Sequence, residues 1–190
     1  MPHRFEMIKV SRTTPLYYQT SVAKDRLTVF RTDAIKEIAV RSYDEARRSG
    51  GILIFAYVIM PEHTHTVTYS GRGSSDVLRY MNGISARRII DHLKGNGHHA
   101  SLLKLKEETK KNNYKYSLWE HHPDSFELVG EDTFLQKVNY IHQNPVRAGL
   151  VERAEDYLYS SARIWNKRPL EREPLSVDID KIDWWKKREA

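Results

Sequence analysis

The sequence predicts an α+β sandwich: an antiparallel sheet covered by helices on one face, with a further helix added towards the C-terminus. Three observations predict it. Residues 52–60 are a near-continuous apolar run of strand length, the pattern of a strand buried on both faces. Residues 17–23 and 63–69 are β-branched or aromatic with partial alternation, as half-packed strands are. Longer stretches between and after them space their apolar residues for one face of a helix.

Taken in order, Tyr17-Tyr18-Gln19-Thr20-Ser21-Val22-Ala23 forms the first strand. Residues 31–49 carry Ile35, Ile38, Ala39 and Tyr43 at helical spacing, with Asp33 placed to cap the start. Gly50-Gly51 stops this helix, since glycine adopts the left-handed conformation that ends helices. The apolar strand at 52–60 follows, Pro61-Glu62 interrupts it, and 63–69 is the third strand. After the loop Gly71-Arg72-Gly73-Ser74-Ser75, Asp76 caps a second helix with the stripe Val77, Leu78, Met81, Ile84, Ile89 and Leu93. Residues 94–115 are polar and basic, mostly loop with a short helix at 101–109. Short strands are expected at 116–120 and 126–129, and a third helix at 131–144, stopped by Pro145. This order, β-α-β-β-α-β-α, is that of a ferredoxin- or RRM-like βαββαβ sandwich plus one helix. Residues 1–166 form the domain. Residues 167–190 are Pro- and charge-rich and hold too little apolar material for a second core, so they are read as a basic, Trp-containing peripheral tail.

Composition narrows the function classes. With 39% hydrophobic and 29% charged residues the chain is an ordinary globular one. It has no cysteine, which excludes disulfides, thiolate zinc sites and a cysteine nucleophile and fits a reducing cytoplasm. No stretch approaches the roughly 18 apolar residues of a spanning helix, and the N-terminus lacks the apolar block of a secretory signal. A cytoplasmic protein without a membrane partner is expected. Lys plus Arg outnumber Asp plus Glu by 31 to 25, a net charge of +6, which biases the chain towards polyanions.

Two segments carry chemistry. In Pro61-Glu62-His63-Thr64-His65, the histidines are two apart on a strand and so face the same side. Neutral imidazoles so placed suit several divalent metals, although a bare pair also fits a half-solvated strand face. Hydrolases built on histidine pairs continue with further Asp or His ligands, whereas Thr66-Val67-Thr68 follows here. The second segment runs from Lys137 to Val151. In it Tyr140 and Asn144 are four apart, one helical turn from each other. A phenol and an amide oxygen so placed can reach the same metal or phosphate. Taken alone, Tyr140 is one of 11 tyrosines and reads as a half-buried helix-packing residue. Asn144 precedes a proline, which sets it at or beyond the helix end.

Together, Ile59-Met60-Pro61-Glu62-His63-Thr64-His65 and Tyr140-Ile141-His142-Gln143-Asn144-Pro145-Val146-Arg147-Ala148-Gly149-Leu150-Val151 resemble the single-tyrosine HUH-endonuclease transposases, in particular their REP-associated tyrosine transposase branch. The resemblance spans about residues 17–165 and includes Tyr157-Leu158-Tyr159-Ser160-Ser161-Ala162. It departs at Thr64, a position usually hydrophobic in the family, which faces away from the histidines. The resemblance implies Tyr140 as a covalent nucleophile and His63, His65 and Asn144 as ligands of Mg²⁺ or Mn²⁺, with asparagine in place of the glutamine of some relatives. It also implies cleavage and rejoining of single-stranded or hairpin DNA through a 5′-phosphotyrosine, in a bacterial, nucleoid-associated setting. Whether the chain works as a monomer or a homodimer is left open.

The candidate DNA contacts are Arg79, Arg87, Arg88 and Lys94 on the second helix and Lys110 and Lys111 in the following loop, where Tyr114 and Tyr116 are interleaved. Cations neutralise phosphates and aromatic faces stack on unpaired bases. Two other classes compete. A non-catalytic RRM-like nucleic-acid module would show a glycine-aromatic pattern on a central strand, which residues 52–60 lack. A metal-binding structural or hydrolytic protein acting on small molecules would leave Tyr140 and the basic loop without a role.

Overall fold

In the computed structural model, which describes residues 7–11, 13–14, 16–106 and 115–184, the chain runs β1 (Ile8–Lys9), β2 (Leu16–Val22), α1 (Asp33–Gly50), β3 (Leu53–Ile59), β4 (His63–Tyr69), α2 (Ser74–Gly95), α3 (His99–Lys104), β5 (Asp124–Leu128), α4 (Glu131–His142), α5 (Asn144–Arg147), α6 (Ala162–Trp165) and β6 (Ile182–Asp183). The four longer strands form a sheet in the order β3-β4-β2-β5, with every neighbouring pair antiparallel. This is the α+β βαββαβ sandwich that the patterning predicts. β3 is buried along its whole length, as its unbroken apolar sequence requires. Gly51 ends α1 in the left-handed conformation (φ 62°, ψ 45°) with its N–H bonded to the Arg47 carbonyl.

The two sheet faces are dressed differently. α1 and α2 pack against each other and against the face that carries Gln19, Ser21 and Thr64. Gln19 donates to the Ser74 carbonyl, Ser21 to Asn82 Oδ1, and Thr64 bonds to Tyr43. α4 crosses the other face, where Phe134 meets Phe55 edge-on at 5.9 Å and Tyr140 meets Tyr18 at 6.2 Å.

Several elements differ from expectation. α2 begins at Ser74 rather than Asp76, which lies in its first turn and pairs with Arg79. The expected strand at 116–120 is reduced to isolated bridges, among them Ala23 with Trp119. Trp119 is fixed instead by stacking on Phe30 at 5.3 Å and by donating to the Asn82 carbonyl. The segment after residue 166 is not merely peripheral. Leu175 and Ile182 enter the core, the Asp178 carboxylate accepts from the Ile54 amide and from Arg47, and β6 pairs in parallel with β1. Trp184 packs on Phe134 and Trp165; Trp185 lies outside the described residues. No helix among the described residues is long and apolar enough to cross a membrane.

Candidate active site

Antiparallel register places the histidines. His63 pairs with Val22 and His65 with Thr20, at one end of the sheet. The Pro61-Glu62 turn before them is held by the Ala23 amide on the Glu62 carbonyl and the Phe30 amide on the Pro61 carbonyl. Strand alternation then turns both imidazoles to the α4 face, with ring centroids 4.7 Å apart. The intervening Thr64 points the other way, where its buried hydroxyl meets the Tyr43 hydroxyl at 2.8 Å. A hydrophobic residue at that position would leave the tyrosine without a partner.

Each imidazole is oriented through Nδ1. His63 Nδ1 lies 2.9 Å from Glu62 Oε1. A carboxylate only accepts, so this nitrogen carries a proton, and in the Nδ1–H tautomer Nε2 is the nitrogen left with a lone pair. His65 Nδ1 lies 2.9 Å from both Tyr18 Oη and Thr20 Oγ1; either oxygen can accept its proton, which again frees Nε2. Burial, then the neighbouring His63, Arg147 and Lys137, hold the His65 pKa down to about 3. The ring is therefore neutral at neutral pH. Burial pushes the Tyr18 phenol up to about 12, so its hydroxyl stays protonated.

α4 brings Tyr140 to this point. Its ring centroid is 5.8 Å from that of His65 and the side chain is substantially exposed, at 41%. The helix does not simply stop at Pro145. α4 ends at His142 and a single turn, α5, continues from Asn144. Pro145 has no N–H to give the Ile141 carbonyl. Asn144 Nδ2 compensates, donating to the Tyr140 carbonyl at 2.9 Å and to the Ile141 carbonyl at 3.4 Å. Arg147 Nη2 also reaches the Tyr140 carbonyl, at 2.8 Å. The predicted third ligand is thus one turn from Tyr140, but its amide nitrogen is committed to the helix; among the described residues Oδ1 makes no hydrogen bond. The described residues hold no cluster of three or more His, Cys, Asp or Glu side chains that could bind a metal.

Tyr18, Thr20, Glu62, Phe126, Lys137 and Arg147 complete the surroundings, and the sequence alone assigned them no role in the site. Phe126 stands 4.8 Å from Tyr18 on the neighbouring strand and is largely exposed. Tyr18 and Thr20 share strand parity, and Lys137 and Tyr140 share helical spacing. Those are the only local marks of their proximity.

The basic residues divide. Arg79, Arg87 and Lys94 line a groove of about 1190 Å³ together with Lys115, Tyr116 and Trp119. Arg88 does not join them; its guanidinium is drawn to Glu45 on α1, 3.0 Å away. Lys110, Lys111 and Tyr114 lie outside the described residues. The groove opens on the α2 side of the sheet, at the same end as the histidines: Trp119 beside it bridges to Ala23, and Glu120 donates to the carbonyl of Val22, the residue paired with His63.

No family model and no curated protein matches the chain. Solved structures do. A REP-associated tyrosine transposase bound to a REP hairpin superposes with a TM-score of 0.58 at 18% identity, over 94% of this chain and 93% of that one. A Deinococcus radiodurans R1 protein provisionally assigned as a transposase is 20% identical over 68% of this chain and 90% of its own, with a TM-score of 0.46. The first likeness establishes a shared fold along nearly the whole chain.

Proposed function

We propose that this chain is a single-strand DNA endonuclease and strand transferase of the tyrosine transposase type, with Tyr140 as nucleophile. The observation that carries the reading is the convergence of an exposed tyrosine on a pair of Nδ1-anchored histidines, with 5.8 Å between the Tyr140 and His65 rings. Nε2 of His63 and His65, with Oδ1 of Asn144, would hold a divalent cation such as Mn²⁺ or Mg²⁺, the two imidazole nitrogens favouring the former. Such a cation supplies Lewis-acid stabilisation of charge on a phosphodiester.

The chain's own residues do the rest. The Tyr140 oxygen attacks phosphorus; the Oη–P bond forms as the P–O3′ bond breaks, the phenolic proton is released and the departing oxygen becomes a 3′-hydroxyl. The product is a 5′-phosphotyrosine, and attack by another 3′-hydroxyl reverses the step and joins strands without an external energy source. Single-stranded or hairpin DNA is the proposed partner. The α2 groove offers it cations and the half-buried Tyr116 ring, Phe126 offers a stacking surface beside Tyr140, and the shared fold with a hairpin-bound transposase supports the same ligand class. A sheet-face RNA reader is disfavoured because α4 lies across the face such a protein keeps open.

Incubating a labelled single-stranded hairpin with protein and Mn²⁺ and resolving the mixture on a denaturing gel tests the reading. A covalent protein–DNA band is expected, lost in EDTA and in His63→Ala. Absence of the band on every hairpin tried, with binding intact, supports a non-catalytic nucleic-acid module instead.

A further inference from the structure

Two cations bracket Tyr140 without an acidic partner. Lys137 lies three residues before it on α4, and its Nζ stands 4.8 Å from the Tyr18 ring centroid, 4.9 Å from that of Phe126 and 5.2 Å from that of Tyr140. Arg147, from α5, sets its guanidinium carbon 4.4 Å from the Tyr140 centroid while donating to the backbone of the same residue. Among the described residues neither forms an ion pair, whereas Arg47, Arg79, Arg88, Arg153 and Arg163 each hold a carboxylate. Lys137 is half-buried, and aromatic faces compensate only part of its lost hydration, while Arg147 is exposed to solvent beside it. Two such cations over one exposed phenol therefore form a site that an anion completes.

We infer that Lys137 and Arg147 are the anion clamp of this site: their side chains take the non-bridging oxygens of the phosphodiester that Tyr140 attacks. The inference rests on the functional reading above and extends it to two residues with no metal-binding role. The diester carries one negative charge before attack and one as the phosphotyrosine, so a fixed clamp holds both states and leaves the exchange reversible. Added charge accumulates on the non-bridging oxygens only between them, where the clamp acts more strongly.

The test is equilibrium binding in EDTA, titrated with salt, using an oligonucleotide and its copy with a neutral methylphosphonate at the phosphate that the wild type cleaves. The wild-type protein is expected to bind the methylphosphonate copy about tenfold or more weakly, with a salt slope shallower by about 0.7 for each phosphate charge removed. Lys137→Met combined with Arg147→Gln is expected to bind both oligonucleotides equally, and Lys137→Arg to keep the discrimination. A double variant that discriminates as the wild type does, while the wild type forms its covalent adduct, overturns the clamp alone. A wild-type protein that binds no oligonucleotide overturns the functional reading and the clamp together.

Discussion

His65 shares its Nδ1 between the hydroxyls of Tyr18 and Thr20, each 2.9 Å away. One ring nitrogen is thereby consumed inside the sheet and the other is left for chemistry at the α4 face. The same burial that fixes the ring also keeps it neutral, with a pKa down to about 3. His142 is similar: buried, bonded through Nε2 to Ser161 at 2.8 Å, and held at about 4.

These two histidines give a pH dependence of stability. Their folded pKa values lie below the unfolded value of 6.5, so the unfolded chain takes up protons first as pH falls. Stability is expected to be fully present above about pH 6.5 and to decline below it, each unit of depressed pKa corresponding to about 1.4 kcal/mol. Urea unfolding of the metal-free protein between about pH 7 and 5 measures this, and His142→Gln should flatten the profile. A midpoint that does not move across that interval contradicts the assignment of both rings as buried and neutral.

The Tyr43–Thr64 pair on the opposite face gives a stability cycle. Tyr43→Phe or Thr64→Val alone leaves one buried hydroxyl unpartnered and is expected to cost about 1–3 kcal/mol. The double variant replaces both by apolar groups and should recover most of the loss. Thermal melts of the four proteins decide it; additive losses would mean that the 2.8 Å contact does not hold the pair together.

Asn144 combines two roles that substitution separates. Asn144→Asp keeps an oxygen for a cation but removes the amide donor that fills the Tyr140 and Ile141 carbonyls. It is expected to lose about 0.5–1.5 kcal/mol of stability while keeping Mn²⁺-dependent adduct formation. Asn144→Ala should lose both. Equal adduct yield from Asn144→Ala and wild type across an Mn²⁺ titration would remove Asn144 from the ligand set.

The division of the basic residues predicts unequal effects on DNA affinity. Arg87→Ala and Lys94→Ala, in the α2 groove, are expected to weaken single-strand binding and to reduce its salt slope by about 0.7 for each phosphate left unneutralised. Arg88→Ala should leave the slope unchanged, because that guanidinium lies outside the groove lining, against Glu45 of α1. Fluorescence anisotropy at several salt concentrations separates the two outcomes, and a slope lowered only by Arg88→Ala would reverse the assignment.

What was legible in the sequence is what period and spacing can encode. β4 runs from His63 to Tyr69 as alternation predicts, and two histidines on a strand and a tyrosine on a helix meet on one face because strand parity and helical turn fix their directions. Contacts made across the fold were not legible. Tyr18 and Thr20 reach His65 from 47 and 45 residues away in sequence, through a register set only when β2 and β4 pair. Residues 116–120 have strand composition, yet Trp119 packs on Phe30 and bonds to Asn82 and the segment forms only isolated bridges. After residue 166, Leu175, Asp178 and Ile182 dock singly and without periodicity, so no window of sequence announces their burial. The break at Pro145 reads as a stop, whereas Asn144 supplies the donors that let the chain continue as α5.

The most direct test of the central claim is the identity of the residue that carries the DNA. The adduct formed with a single-stranded hairpin and Mn²⁺ is trapped, digested with nuclease and trypsin, and sequenced by tandem mass spectrometry. The expected result is a 5′-phosphonucleotide on Tyr140, with no modified peptide from Tyr140→Phe. A nucleotide attached to any other residue, or a Tyr140→Phe protein that still forms the adduct, would contradict the account.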